Sequence, residues 1–338
     1  MRRIVVVIIV LLAVAYIVFS FAELQKISEV LKKSNPVFLL IAFLFEIICL
    51  YNNSATFGAL YRLVGLNENR RQLFLMTMAA NFVNVIAPSA GVGGIAVFMD
   101  MARKRKISTA RVLVVGVLYL VYEYAALFCI LLLGFIVLIR RHNLNAGELI
   151  AAGFLLVLAL ADGAMLVLGY KSSEQLGKVL AWLSQLINRI LKPFLHRDWL
   201  KIENAYNFSR EVAEGIATIR GSHKNLVWPF LFTLNNKALL ICVLAFSFLA
   251  LNTPFSIGTL VGGFSISYLF FYASPTPSGV GFVEGILPAA LNTLKVPFTE
   301  AVLITLIFRV ITLWFPLILG GVAFRLLQRR LQPASDET

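Results

Sequence analysis

The chain has 338 residues, of which 59% are hydrophobic and 14% are charged, and its formal net charge is +13. Soluble domains carry about 25% charged residues, so the composition excludes an ordinary soluble fold. Apolar runs of about 20 residues recur along the whole length, which predicts an all-α polytopic membrane protein. The positive charge suits cytoplasmic loops that face anionic lipid. Nucleic-acid binding is disfavoured because the basic clusters are short and separated by apolar spans.

Six apolar runs are each long enough to cross a bilayer as one helix. They cover about residues 4–21, 37–60, 112–139, 149–170, 226–251 and 300–327. The first run follows the positively charged start Met1-Arg2-Arg3, so a cleaved signal peptide that ends near Ala22 is an alternative. Because many spans follow, we favour an uncleaved first transmembrane helix.

Two further apolar segments, residues 73–99 and 257–294, are interrupted by similar Pro-Gly-rich sequences at 88–94 and 275–281. Pro and Gly break helices, and each backbone group that a break exposes in hydrocarbon costs several kcal/mol unless protein or water pairs with it. We therefore predict that each segment is a re-entrant helical hairpin and that the two breaks mark a transport site. The alternative is full crossing, in which case the second segment must cross twice.

Residues 171–224 differ in kind from the spans. The spacing of their apolar residues predicts one amphipathic helix that ends at Pro193 and a second helix over 198–220. We predict a cytoplasmic amphipathic helical hairpin at the level of the lipid headgroups, inserted within a single transmembrane domain of residues 1–338. A small bundle packed on the spans is the alternative.

The positive-inside rule predicts the orientation of the chain. If both interrupted segments are re-entrant, both termini, residues 171–224 and most basic clusters fall in the cytoplasm. The outer side then keeps the basic residues Lys26, Lys32, Lys33, Arg140 and Arg141. The two hairpins enter from opposite sides in this arrangement, which is the inverted pseudo-symmetry that alternating-access transporters use.

Several ionisable residues lie within the apolar segments: Glu46, Glu123, Asp162, Glu284 and Arg309. Each is costly in lipid and must face a cavity or a partner. Glu284 directly follows the second break, and Arg309 lies within the last span. Two interpretations of this pair stay open. It is either a salt bridge that fixes the last helix or a guanidinium held ready to bind a phosphate.

The breaks also supply candidate ligand-binding groups. A helix that starts after a glycine-rich break presents free N–H groups and the positive end of its dipole to an anion. Packing against another helix is the alternative role for such glycines. The candidate substrate-binding residues are Asn81, Asn84, Gly91, Gly93, Gly94, Pro277, Gly279, Gly281, Glu284 and Arg309, with Glu46, Glu123 and Asp162 as supporting charges.

No pattern in the sequence predicts a catalytic, cofactor or metal site. A nucleophile–base pair, a phosphate-binding loop with its lysine and a dinucleotide fingerprint are all missing. The three histidines lie in polar connections, so a zinc cluster is not expected. The cysteines lie within apolar runs, have no disulfide spacing and are typical of small buried residues: Cys49, Cys129 and Cys242.

Three stretches resemble one known family: residues 84–94 with the basic cluster that follows them, residues 275–285 and residues 308–316. The family is the membrane region of lysylphosphatidylglycerol synthase, also called multiple peptide resistance factor, with its stand-alone relatives. The resemblance covers nearly the whole chain. It implies a flippase that moves aminoacylated phospholipid from the inner to the outer leaflet. By matching position it also implies functional roles for Glu284 and Arg309.

Full-length members of that family add a cytoplasmic domain that transfers lysine from charged tRNA to phosphatidylglycerol. This sequence ends at Thr338, directly after its last span, so the resemblance implies translocation rather than synthesis. The leading hypothesis is translocation of a phospholipid, for example aminoacylated phosphatidylglycerol, across the plasma membrane. Arg309 and the helix N-termini would hold the phosphate, and nearby carboxylates would neutralise Arg309 or a cationic headgroup.

Two other functions stay open at this point. One is a membrane subunit of a lipid-modifying transferase that acts with a partner domain in trans. The other is a membrane scaffold whose basic amphipathic hairpin recruits a partner. In the leading hypothesis the partner is membrane phospholipid, nucleic acid is not a partner, no cofactor is expected, and a homo-oligomer is compatible with the sequence.

Overall fold

The computed structural model describes residues 32, 34–86, 92–141, 146–195, 202–217, 226–274 and 276–331. Outside them lie the first predicted span, residues 87–91 with Pro88 and Gly91, Pro275, and the side chain of Asp162. Within the described ranges the regular structure is helical and contains no β-strand. The prediction of an all-α protein is confirmed for this part of the chain.

The helices follow one another with short connections. In chain order they are α1 (Pro36–Leu63), α2 (Arg70–Ile86), α3 (Val92–Lys104), α4 (Thr109–Arg140), α5 (Ala146–Lys171), α6 (Ser173–Leu195), α7 (Ile202–Ala217), α8 (Val227–Ala250), α9 (Ile257–Ala273), α10 (Phe282–Thr293), α11 (Phe298–Arg309) and α12 (Phe315–Leu331). A 3₁₀ turn, Pro277–Gly279, precedes α10, and a π-helical turn, Val310–Trp314, joins α11 to α12.

Within the described residues, four helical segments are long and apolar enough to cross a membrane. They are α1, α4, α8 and the segment Phe298–Arg329 that contains α11 and α12. The apolar part of α5, Ala146–Ala161, is shorter. These helices support a multi-pass membrane protein, while the predicted total of six full crossings and two hairpins stays a prediction.

Helices α1 and α8 pack side by side in opposite directions. Near one end of the pair the Asn35 backbone N–H donates to the Ala250 carbonyl at 2.7 Å. Further along, the Asn52 side-chain nitrogen donates to the Phe232 carbonyl at 2.6 Å. Residue numbers rise along α1 while those of its neighbours on α8 fall. The two helices are therefore antiparallel.

Helices α9 and α10 form a hairpin whose open end lies at the C-terminal end of α4. There the Arg141 guanidinium donates to the Ser256 hydroxyl at 3.0 Å and to the Leu294 carbonyl at 3.3 Å. Near the closed end of the hairpin, the Tyr272 hydroxyl donates to the carboxylate of Glu123, which lies about midway along α4. The hairpin therefore extends from one end of α4 to about its middle.

Helices α2 and α3 form a second hairpin, which starts at the other end of α4. Its open end is held by an ion pair in which the Glu68 Oε2 and Arg105 Nη1 atoms are 2.6 Å apart. Near its tip the Asn84 side-chain oxygen accepts a hydrogen bond from the Gly94 N–H at 2.6 Å. Asn84 and Glu123 line the same cavity. The two hairpins thus start at opposite ends of α4 and approach the same region beside its middle.

The same order of elements occurs twice in the chain. One set is α1, the α2–α3 hairpin and α4, and the other is α8, the α9–α10 hairpin and the segment α11–α12. The packing partners correspond, because α2 packs against α12 while α9 packs against α4. The contact between α2 and α12 is close, since a Cβ atom on Gly320 would lie 2.6 Å from the Met78 carbonyl oxygen.

Helices α6 and α7 lie between these two sets in the sequence and pack against each other. Gly177 is at their contact, where a Cβ atom would lie 2.6 Å from the Tyr206 ring. Leu176 and Val212 are buried in one apolar cluster with residues of α1 and α4, whereas Trp182 and Tyr206 are exposed. The pair therefore packs on the transmembrane helices with one face and leaves aromatic side chains on another.

One predicted helix boundary is wrong. Helix α6 continues through Pro193 to Leu195 instead of ending at Pro193. Proline removes one backbone N–H and crowds the carbonyl four residues earlier, a large penalty in a helix interior. Pro193 lies so near the C-terminus that few hydrogen bonds remain to be lost. Helix α7 lies inside the predicted range 198–220, and both ends of that range fall outside the described residues.

The last predicted span is helical but contains a widened turn directly after Arg309. Pro316 provides the physical reason. In a regular α-helix its ring would clash with the Thr312 carbonyl, and it has no N–H to bond to that oxygen. A π-helical turn relieves this clash locally, and such turns occur frequently at functional sites.

Replacing Gly320 by alanine is expected to destabilise the protein by about 1–3 kcal/mol, because the added methyl group would overlap the Met78 carbonyl. Gly285→Ala in α10 is the matched control. Nothing lies within 4 Å of its added Cβ atom, and alanine is favoured over glycine in helices by about 0.5–1 kcal/mol. The free energy of unfolding, measured by SDS titration in mixed micelles, compares the two. Equal stabilities would contradict the close contact.

Candidate functional site

A cavity of about 620 Å³ lies between the two hairpins and the middle parts of α1, α4 and α8. Residues predicted from the sequence that line it are Glu46, Asn81, Asn84, Glu123, Pro277 and Arg309. The described residues Gly93, Gly94, Gly279, Gly281 and Glu284 were also predicted but do not line it. Gly91 and the Asp162 side chain lie outside the described part of the chain. The fold thus collects polar groups from distant sequence positions around one chamber.

Arg309 and Glu284 form an ion pair, with 2.5 Å between Arg309 Nε and Glu284 Oε1. The same guanidinium donates through Nη2 to the Ser278 carbonyl at 3.2 Å. The second oxygen of Glu284 accepts from the Gly281 N–H at 2.7 Å and so caps the start of α10. Arg309 is 4% exposed. One arginine therefore fixes both the turn and the helix that follows it, and it also contributes to the cavity wall.

The turn that Arg309 holds has an unusual backbone. Ser278, Gly279 and Gly281 all have positive φ angles, of 48°, 65° and 83°. Glycine adopts such angles without a steric penalty, but serine does so rarely, and a residue held in a sparsely populated region costs of order 1–3 kcal/mol. The hydrogen bond from Arg309 to the Ser278 carbonyl helps to keep this conformation.

Sequence reasoning missed the second buried cation, Lys237 on α8. Its Nζ atom lies 2.5 Å from Glu123 Oε2 and 3.3 Å from the Tyr272 hydroxyl. It also lies 5.3 Å and 5.5 Å from the ring centroids of Tyr268 and Tyr272, within the range of cation–π attraction. Lys237 is 2% exposed. A lysine inside the apolar run 226–251 is itself a signal of an intramembrane site.

Asparagine side chains connect α1 and α8 beside this pair. The Asn235 side-chain nitrogen donates to Asn52 Oδ1 at 3.1 Å, and the Cys49 thiol donates to Asn236 Oδ1 at 2.9 Å. On the neighbouring α4, the Tyr119 hydroxyl donates to Asn53 Oδ1 at 3.2 Å. Buried polar groups are tolerated in a membrane when they pair with each other. This network holds α1 and α8 together beside the cavity.

Asn84 has two roles. It lines the cavity, and its side-chain oxygen accepts from the Gly94 N–H in the first turn of α3. A Cβ atom on Gly94 would lie 2.6 Å from Asn84 Nδ2, so the contact requires glycine unless Asn84 moves. The N–H group of Gly94, which was expected to face an anion, is therefore already bonded to Asn84. Asn81 lines the same cavity.

Glu46 on α1 differs from the other acidic residues of the cavity. It is 3% exposed, and its Oε2 atom has no hydrogen-bond partner among the described residues. The sequence predicted that Glu284, with Glu46, Glu123 or Asp162, neutralises Arg309 or a cationic headgroup. In the structure the carboxylate beside Arg309 belongs to Glu284, and Glu123 pairs with Lys237.

A family match covers most of the chain. The family described as the lysylphosphatidylglycerol synthase TM region matches residues 3–320. The chain belongs to this family. This assignment agrees with the family resemblance found in the sequence. Membership indicates a membrane role related to lipid handling. Together with the apolar helices it identifies a multi-pass membrane protein.

A curated relative supports the same family. The chain is 23% identical over 336 residues to the UPF0104 membrane protein MJ1595 of Methanocaldococcus jannaschii. The similarity covers 93% of this chain and 92% of the relative. The likeness to this relative therefore extends over nearly the full length of both chains.

The chemistry of the cavity follows from its charges. Two buried cations each pair with one carboxylate, and hydroxyl, amide and apolar side chains form the rest of the wall. Among the described residues, no cluster of three His, Cys, Asp or Glu side chains is placed to hold a metal ion. Such a chamber can bind a polar group at membrane depth by exchanging internal hydrogen bonds for bonds to a ligand.

Proposed function

We propose that this protein moves phospholipids between membrane leaflets and that the cavity admits their headgroups. The observation that carries the proposal is the buried Arg309 in the wall of a polar chamber inside a helical membrane protein. Its guanidinium has five N–H donors, and the described residues supply two acceptors for them. Guanidinium groups bind phosphate with two parallel hydrogen bonds. The acyl chains would stay in the bilayer while the headgroup crosses.

Both hairpins are re-entrant in this proposal. At 1.5 Å per residue, the 17 residues of α9 and the 12 residues of α10 are about 25 Å and 18 Å long. The hydrocarbon core is about 30 Å thick, so neither helix crosses it alone. Because the hairpins start at opposite ends of α4 and the repeated helices α1 and α8 are antiparallel, the two halves form an inverted repeat. Alternating access would then open the cavity to each leaflet in turn.

Charge supports a cytoplasmic location for the open end of the α2–α3 hairpin. The basic residues around that end are Arg62, Arg70, Arg71, Arg103, Lys104, Arg105, Lys106 and Arg111. At the opposite end of α4 the basic residues are Arg140, Arg141 and Lys295. By the positive-inside rule the first group faces the cytoplasm in this proposal. If the predicted first span crosses the membrane, both termini face the cytoplasm as well. The membrane is the plasma membrane in this proposal.

Leaflet exchange of labelled phospholipids in proteoliposomes tests the proposed function. Wild-type protein is expected to exchange lipid faster than protein-free vesicles. Arg309→Ala is expected to slow exchange by about tenfold or more, because a lost charged hydrogen bond of about 1.5–3 kcal/mol corresponds to at least that factor. Arg329→Ala, at the exposed end of α12, is the matched control and should exchange lipid at the wild-type rate.

Arg309→Ala also leaves Glu284 without its cation, so a second variant separates binding from folding. The double variant Arg309→Ala/Glu284→Ala removes both charges together. It should elute as a folded protein and still exchange lipid at the slow rate. Translocation is ruled out if wild-type protein and Arg309→Ala both exchange lipid only at the protein-free rate. Such a result would leave the lipid-modifying alternative.

A further inference from the structure

The described acidic residues of the cavity wall are Glu46 and Glu123. Glu123 pairs with Lys237, whereas Glu46 belongs to none of the ion pairs or helix caps above. It lies on α1, is 3% exposed, and is one of the residues that line the cavity. Its Oε2 atom has no hydrogen-bond partner among the described residues. Burying an ionised carboxylate without a partner is so unfavourable that the group takes up a proton instead.

The surroundings of Glu46 do not supply a free cation. The described titratable groups that line the cavity with it are Cys49 on α1, Lys237 on α8, Tyr119, Glu123 and Tyr124 on α4, Tyr268 and Tyr272 on α9, and Arg309 on α11. Lys237 and Arg309 are the cations of this set, and each lies 2.5 Å from another carboxylate oxygen. The remaining groups are acidic or neutral and would not stabilise a second negative charge. A protonated Glu46 would need no cation in these surroundings.

We propose that Glu46 exchanges this proton for the ammonium group of a phospholipid headgroup, which makes the protein a proton–aminophospholipid antiporter. The inference rests on the proposed function and adds to it a role for Glu46 and a driving force. A proton and an ammonium group each carry one positive charge, and a single carboxylate binds one of them at a time. Exchange keeps the buried carboxylate neutralised at every stage, so the inward proton gradient can drive the lipid in the opposite direction.

The two charged ends of an aminophospholipid headgroup would bind to two different residues of the cavity wall. The phosphate would bind to Arg309, whose side chain lies on the α11 side, and the ammonium group would bind to Glu46 on α1. A phospholipid without an amine, such as phosphatidylglycerol, can satisfy only the first of these sites. Competition with the proton is therefore specific to lipids that carry an amine.

Proton release on binding gives a direct test that needs no transport. Short-chain phosphatidylethanolamine is added to purified protein in weakly buffered detergent solution, and the pH change is followed. Wild-type protein is expected to release up to about one proton for each lipid bound, by linkage between the two ligands. Short-chain phosphatidylglycerol should release none, and Glu46→Gln should release none with either lipid. Glu300→Gln, on a helix end outside the cavity wall, should behave as wild type.

A pH gradient across proteoliposomes gives the second test. With an acidic lumen, acyl-labelled phosphatidylethanolamine should accumulate in the inner leaflet as protons leave, whereas phosphatidylglycerol should not respond. Glu46→Gln that elutes as wild type on size exclusion should lose this response. If wild-type protein exchanges both lipids at equal rates whatever the gradient, and binding releases no proton, the antiport inference is wrong while lipid translocation stands. If neither lipid exchanges above the protein-free rate, the proposed function fails.

Discussion

Replacing Lys237 by methionine is expected to destabilise the protein by about 3–5 kcal/mol, among the largest effects of any single substitution in the described residues. Methionine keeps most of the length of the side chain but removes its charge. Glu123, which is 2.5 Å from the ammonium group in the native protein, would then be a buried carboxylate without its cation. The free energy of unfolding in SDS-titrated mixed micelles measures this loss.

The same charge removed from an exposed pair provides the control. Lys104→Met breaks an ion pair with Asp100, 2.7 Å long and open to solvent, and should change stability by about 0–1 kcal/mol. The double variant Lys237→Met/Glu123→Gln removes both buried charges and should recover part of the lost stability. If it is no more stable than Lys237→Met, Glu123 is not the group that Lys237 stabilises.

The sequence predicted the long helices well because their signal is simple. Apolar runs of about 20 residues have only one stable form in lipid, so α1, α4, α8 and the last segment begin and end near their predicted positions. The two interrupted segments were recognised as helical pairs because Pro and Gly divide each apolar run into two shorter ones. Each resolves into two short helices that pack against each other, α2 with α3 and α9 with α10.

Two backbone details do not follow from helix-breaking rules for proline: the end of α6 and the π-helical turn before α12. The rule that proline ends a helix failed at Pro193, which lies two residues before the end of α6. The energetic cost of a proline depends on its distance from the helix terminus, and the sequence did not define where α6 ends. The widened turn at Val310–Trp314 depends on how the chain accommodates Pro316, which has more than one solution. Both are local choices among conformations that differ by a few kcal/mol.

The candidate site was predicted in part. The prediction that Glu284 and Arg309 are neighbours is confirmed by their ion pair. The sequence allowed this prediction because Glu284 directly follows a break and Arg309 lies within the last span. The partner of Glu123 was missed, since Lys237 is 114 residues away and only the packing of α4 near α8 brings the two together.

Replacing Glu284 by alanine is expected to affect both stability and lipid exchange. The substitution leaves Arg309 as a buried cation without its carboxylate and removes the acceptor of the Gly281 N–H. The loss of the buried partner should cost about 3–5 kcal/mol, and the loss of the cap about 1 kcal/mol. Glu284→Gln keeps an oxygen that can accept from Gly281 but lacks the charge, so it should be about 1 kcal/mol more stable than Glu284→Ala.

The comparison of these two variants separates the two roles of one side chain. If Glu284→Gln and Glu284→Ala are equally unstable, the cap at Gly281 contributes little and the ion pair accounts for the whole effect. Glu300→Ala, at the start of α11, should stay within about 0.5 kcal/mol of wild type. Because Arg309 holds the Ser278 turn through the same guanidinium, a loosened ion pair should release the hairpin tip from the cavity wall. Lipid exchange should therefore fall in Glu284→Ala even under conditions where the variant stays folded. If folded Glu284→Ala exchanges lipid at the wild-type rate, the position of the hairpin tip does not control transport.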